Sequence, residues 1–352
     1  MELIHGGDWA GFESEYGTRP LDFSANISPL GLPDGVRAAA LAALSDTERY
    51  PDPLCRALRA ALSERHGVPE ENIVCGNGAA ELIWRLCRVL HPKKAALFVP
   101  SFAEYECALR AEGCEIVQLP LRAADSFHFT AEQASRVPPD TELLFLCNPN
   151  NPTGRLAERD AVLYLLKLCR ERDMALIIDE CFLDFCREPA AQSMVGALAE
   201  TPRLVILRAF TKTHAMAGLR LGYALCGSTS LAEKLQVSAQ PWVVSNIAQA
   251  AGVAALRETA YITKLRTLIG AERARLIPLL EGLQLRVIPG EANFLLFRAE
   301  DPALSEKLRQ RGILIRPCGN FAGLDENWYR AAVRTHAEND QLLRALGEVL
   351  YG

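Results

Sequence analysis

Short apolar runs alternate along most of the chain with longer segments whose apolar residues recur every three or four positions. The runs at 95–99, 115–119, 143–147, 175–179, 204–207 and 221–225 predict strands, and the segments 54–64, 79–90, 158–171 and 230–238 predict helices. A strand can be apolar at successive positions only if both faces are covered, and helices between the strands supply that cover. The alternation therefore predicts an α/β fold with a mostly parallel sheet. Ligands in such sheets bind beyond the carboxyl ends of the strands, so chemistry is expected in the loops that follow them.

The pattern changes towards the C-terminus. Residues 247–280 are helical with one interruption. Short strands are predicted at 285–288 and 293–297, a helix at 302–311, a strand at 313–316 and a closing helix at 338–350. This describes a smaller α+β domain, with the loop-like first thirty or so residues packed against it. A length of 352 residues suits about two domains. We expect a large domain over 32–280 and a small one built from 1–31 and 281–352.

Nearly half the residues are apolar, which is globular composition, and the net charge is −5. That balance gives no reason to expect nucleic acid or an anionic membrane as partner. No run approaches the roughly 20 apolar residues that span a bilayer. The eleven cysteines are scattered, with no CxxC pair and no Cys/His cluster at zinc spacing. An odd count with no basic-then-apolar leader suits a reducing cytosol, and no metal is expected.

Four segments carry candidate chemistry. FTKTHAMAGLRLGY places Lys212 in a loop directly after a buried strand, with Arg220 eight residues on. A lysine so placed can react with an aldehyde, although a lone lysine is usually a surface residue. ALIIDECF ends an apolar strand on Asp179. Such an aspartate is commonly a cap or an ion-pair partner, but it can also keep a pyridine nitrogen protonated. CNPNNPTG, after the strand at 143–147, supplies Asn151, and CGNGAAEL is a glycine-rich turn opening a helix. Free N–H groups and the helix dipole suit a phosphate at such a turn.

Each segment alone has an ordinary structural explanation. Taken in order, with the Thr-Lys pair and the arginine eight residues later, they resemble the signature of the fold-type-I pyridoxal-phosphate enzymes, the class I/II aminotransferase-like superfamily, over essentially the whole chain. The resemblance implies a large domain with a seven-stranded, mostly parallel sheet and a small α+β domain. It implies that Lys212 holds pyridoxal 5'-phosphate as a Schiff base. Asp179 would pair with the ring nitrogen, and Asn151 would contact the phenolic oxygen. Phe102 in PSFAEY would stack on the ring. Thr211, Arg220 and the N–H groups around Asn77 and Gly78 would hold the cofactor phosphate. Tyr50 in RYPDP resembles a tyrosine that reaches the neighbouring subunit's cofactor, which implies a homodimer with shared sites.

Two branches of the superfamily compete, the histidinol-phosphate aminotransferases and the threonine-phosphate decarboxylases of cobalamin synthesis. The N-terminal His5-Gly6-Gly7 and LDFSANISPLG, and the tail ILIRPCGNFAGLDENWYRAAVR, look like the decarboxylases. So does Phe182, where the aminotransferases usually carry tyrosine. The resemblance implies that O-phospho-threonine is decarboxylated to 1-aminopropan-2-yl phosphate, with O-phospho-serine a further candidate substrate. Arg330 would grip the α-carboxylate. Arg316, with His5, the Gly6 backbone and Asn26, would surround the phosphate end, Asn151 would also contact the substrate, and Arg334 is read as structural. One departure stands out: Ala209 occupies a place where relatives commonly carry a serine or threonine that donates to the cofactor phosphate. A regulator that binds the cofactor without catalysis is the remaining alternative.

Overall fold

A computed structural model describes residues 5–352. Thirteen strands occur among these residues. They are β1 (Leu21–Asp22), β2 (Ile73–Gly76), β3 (Lys94–Val99), β4 (Glu115–Pro120), β5 (Leu143–Cys147), β6 (Ala175–Asp179), β7 (Leu204–Ala209), β8 (Gly222–Cys226), β9 (Arg286–Ile288), β10 (Phe294–Arg298), β11 (Ile313–Leu314), β12 (Arg316–Pro317) and β13 (Trp328–Ala332). Seven of them form one sheet in the order β2-β8-β7-β6-β5-β3-β4. Only β8 runs against its neighbours in that sheet, antiparallel to both β2 and β7.

Successive residues of a strand face opposite sides, and each side of this sheet has its own core. Leu144 and Leu146 of β5 pack in one cluster with Val162, Leu165 and Cys169 of the helix Arg159–Arg172. Leu143 and Phe145 of the same strand pack in the other, with Leu82, Ile83 and Leu86 of the helix Ala79–Leu90. Double cover explains why these strands read as unbroken apolar runs.

A second sheet, antiparallel in the order β12-β13-β10-β9, carries a third core. Phe294 and Phe297 of β10 meet Leu342 and Leu346 of the closing helix His336–Tyr351, and Leu265, Ile269 and Leu276 of the long helix Thr259–Gly282. The expected strand at 313–316 is instead two. Ile313–Leu314 pairs in parallel with Leu21–Asp22, whereas Arg316–Pro317 joins the four-stranded sheet, so the chain changes sheets at Ile315. The N-terminal segment is more ordered than expected, with a helix at Trp9–Tyr16 before β1. Among the described residues, no helix is long and apolar enough to cross a membrane, and no His/Cys/Asp/Glu cluster could hold a metal ion.

Register decides where the chemistry falls. Cys147 at the end of β5 is level with Asp179 at the end of β6, and Asp179 with Leu207 of β7. The loops after these strands therefore open on one edge of the sheet. Gly222, at the start of β8, is level with both Ala209 and Gly76. A Cβ on Gly222 would lie 2.5 Å from the Ala79 nitrogen, so glycine there lets the turn after β2 lie against β8.

Candidate active site

A cleft of about 400 Å³ opens along this edge, between the large sheet and the N- and C-terminal segments. Lys212 lines it from the one-turn helix Phe210–Thr213 after β7, and Asp179 lines it from the end of β6. Burial lowers the Lys212 amine to about 8, aided by the positive charges of Arg330 and Arg220. An amine in that range has a substantial neutral, nucleophilic fraction near neutral pH.

Asp179 is 6% exposed. Its Oδ2 accepts the Tyr105 hydroxyl at 2.7 Å and its Oδ1 accepts the Cys181 N–H at 3.0 Å. Two donors fix the orientation of the carboxylate and leave each oxygen a further acceptor position. Phe102 lines the cleft beside Tyr105, with the two rings edge to face.

Asn151 sits in the loop after β5, and its Oδ1 accepts from Arg330 Nη1. Asn151 also lines the cleft. Arg330, on β13, is buried, donates Nη2 to the Ser24 carbonyl at 3.0 Å and lies over the Phe294 ring. Burial pulls its pKa down to about 10, with the Arg316 charge adding to the effect. Arg316 is buried too, on the same side of the cleft, and donates Nη2 to Asn320 Oδ1 at 2.8 Å.

The N-terminal segment closes the cleft. His5 Nε2 contacts Glu104 Oε1 at 2.7 Å, and the second Glu104 oxygen accepts from Trp84 Nε1 at 2.8 Å. A Cβ on Gly6 would fall 2.4 Å from the Ser24 carbonyl oxygen, and the Gly7 N–H donates to Ser24 Oγ at 2.8 Å. Asn26 lines the cleft, is 3% exposed, and its buried Oδ1 has no partner among the described residues. A buried amide oxygen left so is a place where a ligand is expected.

The glycine-rich turn bonds partly to itself. The Gly78 N–H donates to the Gly76 carbonyl at 2.8 Å, and the Asn77 N–H to the Glu81 carboxylate at 3.3 Å, so both are engaged within the turn. The helix Ala79–Leu90 has no side-chain cap, and Ala79 and Ala80 line the cleft. Their N–H groups are the open ones at this helix N-terminus. Arg220 is adjacent, since a Cβ on Gly78 would lie 2.6 Å from its Nη2. Thr211 and Ala209 complete this end of the cleft, and Ala209 offers no hydroxyl there.

Tyr50 is not part of this cleft. It is 78% exposed and stacks on Trp242, with ring centroids 4.3 Å apart. Phe182 is a buried cleft wall, edge-on to Phe294. Arg334 donates to the Asp22 carbonyl and to Glu338, as a structural arginine would. Sequence reasoning did not single out Tyr105, Glu104, Ser24 or Cys181. Tyr105 and Glu104 do stand in the quoted motif PSFAEY, but nothing in its pattern ties Tyr105 to Asp179.

The aminotransferase class I and II model matches residues 18–346. The chain belongs to that family. It is 40% identical to a threonine-phosphate decarboxylase of Salmonella typhimurium over 99% of this chain and 97% of that protein. Among solved structures, a histidinol-phosphate aminotransferase from Clostridium acetobutylicum superimposes with a TM-score of 0.88 at 33% identity, covering 94% of this chain and 98% of that one. An L-threonine-O-3-phosphate decarboxylase from Porphyromonas gingivalis gives 0.83 at 26% identity, covering 94% and 99%. The fold is therefore the fold-type-I aminotransferase fold.

The donor set fits pyridoxal phosphate. The cleft presents an amine for an aldehyde, an ionisable carboxylate for a ring nitrogen, an amide for the phenolic oxygen and an aromatic face. It also presents an uncapped helix N-terminus beside an arginine for the phosphate.

Proposed function

We propose that this protein is a threonine-phosphate decarboxylase that works with pyridoxal phosphate. One observation carries the reading. Two buried arginines, Arg316 and Arg330, and the unpartnered Asn26 oxygen face the same cleft as Lys212 and Asp179. A cleft with a reactive amine and two separate guanidinium groups suits an amino acid that carries both a carboxylate and a phosphate. The 40% identity to the Salmonella enzyme supports the same substrate.

When bound, pyridoxal phosphate supplies an aldehyde that carries the substrate's amine and a protonated ring that accepts an electron pair from a bond at Cα. The protein's residues decide which bond breaks. Arg330, fixed by Asn151 and Ser24, holds the α-carboxylate. Arg316, His5, the Gly6 backbone and Asn26 hold the phosphate, and two anchors set the rotation about the Cα–N bond. Anchored at both ends, the substrate would present its carboxylate as the group lost from Cα. Lys212 Nζ would serve the proton transfers at Cα and the release of product. Asp179 would hold the ring nitrogen. Thr211, Arg220 and the turn at Asn77 and Gly78 hold the cofactor phosphate, with Ala79 and Ala80 offering the open N–H groups. Tyr50 serves the cleft of a second copy in a homodimer, in keeping with its exposed ring, and the enzyme acts in the cytoplasm, in cobalamin synthesis. The large domain is 32–280, and the small one is 1–31 with 281–352.

The test is an incubation of holoenzyme with O-phospho-threonine, with O-phospho-serine, and separately with histidinol phosphate plus 2-oxoglutarate. Carbon dioxide released without any oxo acid is the expected result. Glutamate formed from histidinol phosphate, with no carbon dioxide from either phospho-amino acid, would make the protein an aminotransferase.

A further inference from the structure

Tyr105 lies on the helix Ala103–Ala111 and is fully buried. Its ring stacks on Phe145 of β5 with centroids 4.8 Å apart and planes within 7°, and Phe102 meets it edge to face at 5.6 Å. Packed on two sides, the phenol sets its hydroxyl beside the Cys147 thiol, and the hydroxyl donates to Asp179 Oδ2 at 2.7 Å. Burial, and then the Asp179 charge, push its pKa well above the usual tyrosine range, so it stays protonated and remains a donor. The Cys181 N–H serves the other carboxylate oxygen. Each oxygen of an ionised carboxylate has two acceptor positions, so Asp179 keeps capacity for a ring nitrogen.

We propose that Tyr105 is a positioning residue that acts through Asp179, fixing the orientation in which the carboxylate faces the cofactor's ring nitrogen. This rests on reading the cleft as a pyridoxal-phosphate site. A carboxylate stabilises a positive ring nitrogen only while one of its oxygens is held facing it. With the hydroxyl and the Cys181 N–H in place, each carboxylate oxygen is fixed and keeps an acceptor position for the ring N–H. With the hydroxyl gone, the carboxylate can turn from the ring nitrogen and stabilises its positive charge less. The ring then loses part of the positive charge that draws electrons from the nitrogen joined to Lys212.

Tyr105→Phe in the holoenzyme keeps the stacking and removes only the hydroxyl. The readout is the pH midpoint at which the bound cofactor's visible absorption band interconverts, because that midpoint reports the charge on the ring. The expected result is an upward shift of about one pH unit, a tenfold change in proton affinity. Asp179→Asn should move the midpoint in the same direction, and adding Tyr105→Phe to it should move it no further, because the hydroxyl acts through the carboxylate. A midpoint unchanged in Tyr105→Phe, even with a lower melting temperature, would show a packing role alone and overturn the proposal. If the wild-type protein develops no visible band with the cofactor, the reading of the cleft itself fails, and the proposal with it.

Discussion

The Arg330 guanidinium reaches from β13 of the small sheet to the Asn151 side chain in the loop after β5, and on its other edge to the Ser24 carbonyl at 3.0 Å. One planar group thus joins the small sheet, the N-terminal segment and the loop beside the large sheet. Arg330→Lys keeps the charge but cannot make both contacts and still offer a fork to a carboxylate. Loss of a charge-assisted, bidentate contact is expected to cut kcat/KM for phospho-threonine by roughly a hundredfold or more. Steady-state carbon dioxide release measures it. A change below fivefold would remove Arg330 from the substrate.

Arg330 also acts on Lys212 at a distance. The Lys212 amine titrates near 8 because burial and then the Arg330 charge disfavour the ammonium form. Its neutral form is the nucleophile, so cofactor uptake by apoprotein should slow about tenfold per pH unit below 8 and level off above it. Arg330→Gln removes a positive neighbour and should move that midpoint up, whereas Arg330→Lys should leave it nearly in place. Stopped-flow absorbance against pH separates the two variants.

Much of this site was legible because parallel, doubly covered strands announce themselves. The runs ending at Cys147 and Asp179 have the boundaries read from the sequence, and so does the helix Ala79–Leu90. The strand Ile73–Gly76 is not legible in the sequence, because four residues between Asn72 and a glycine turn give no period to count. Nor does an apolar run state its direction: β8 reads like its neighbours but runs antiparallel. The switch at Ile315 depends on where Leu21–Asp22 and Trp328–Ala332 lie, which is tertiary information. Tyr105 escaped notice for the same reason, since it and Asp179 are 74 positions apart in the chain.

Two histidines that line a separate small cavity set an acid limit on stability. His66, bonded to the Tyr223 hydroxyl at 2.9 Å, and His214, whose Nδ1 meets the Thr213 hydroxyl at 3.0 Å, are both lowered from 6.5 to about 4, chiefly by burial. Between those values the unfolded chain binds the protons and the folded chain does not. Stability should therefore fall as pH drops from about 6.5 to about 4, by at most roughly 3 kcal/mol for each histidine. Melting temperatures across that window should fall less steeply in His66→Gln/His214→Gln than in wild type. Parallel curves would assign the loss to carboxylates instead.

The Gly6 position tests the N-terminal closure. Any side chain there meets the Ser24 carbonyl, so Gly6→Ala must lift the His5–Gly7 stretch from the cleft. The core lies elsewhere, so the melting temperature should stay within about 2 °C while KM for phospho-threonine rises several-fold. Unphosphorylated threonine should be unaffected, because the segment is proposed to hold the phosphate. Equal effects on both compounds would show that the segment does not recognise the phosphate.

Ala209 offers a gain rather than a loss. It ends β7, one residue before the turn that carries Lys212, and it borders both the cleft and a small polar cavity of about 40 Å³ lined by His66, Arg208 and Tyr223. A hydroxyl at this position turned to the cleft would add one hydrogen bond to a charged phosphate. Such bonds contribute about 1.5–3 kcal/mol, so Ala209→Ser should tighten cofactor binding by at least roughly tenfold. A hydroxyl turned the other way would find Glu180 and Arg208, which already bond each other, and would gain little. Fluorescence titration of apoprotein with pyridoxal phosphate distinguishes the outcomes. An unchanged dissociation constant would mean that the open N–H groups of Ala79 and Ala80, with Arg220, already saturate the phosphate.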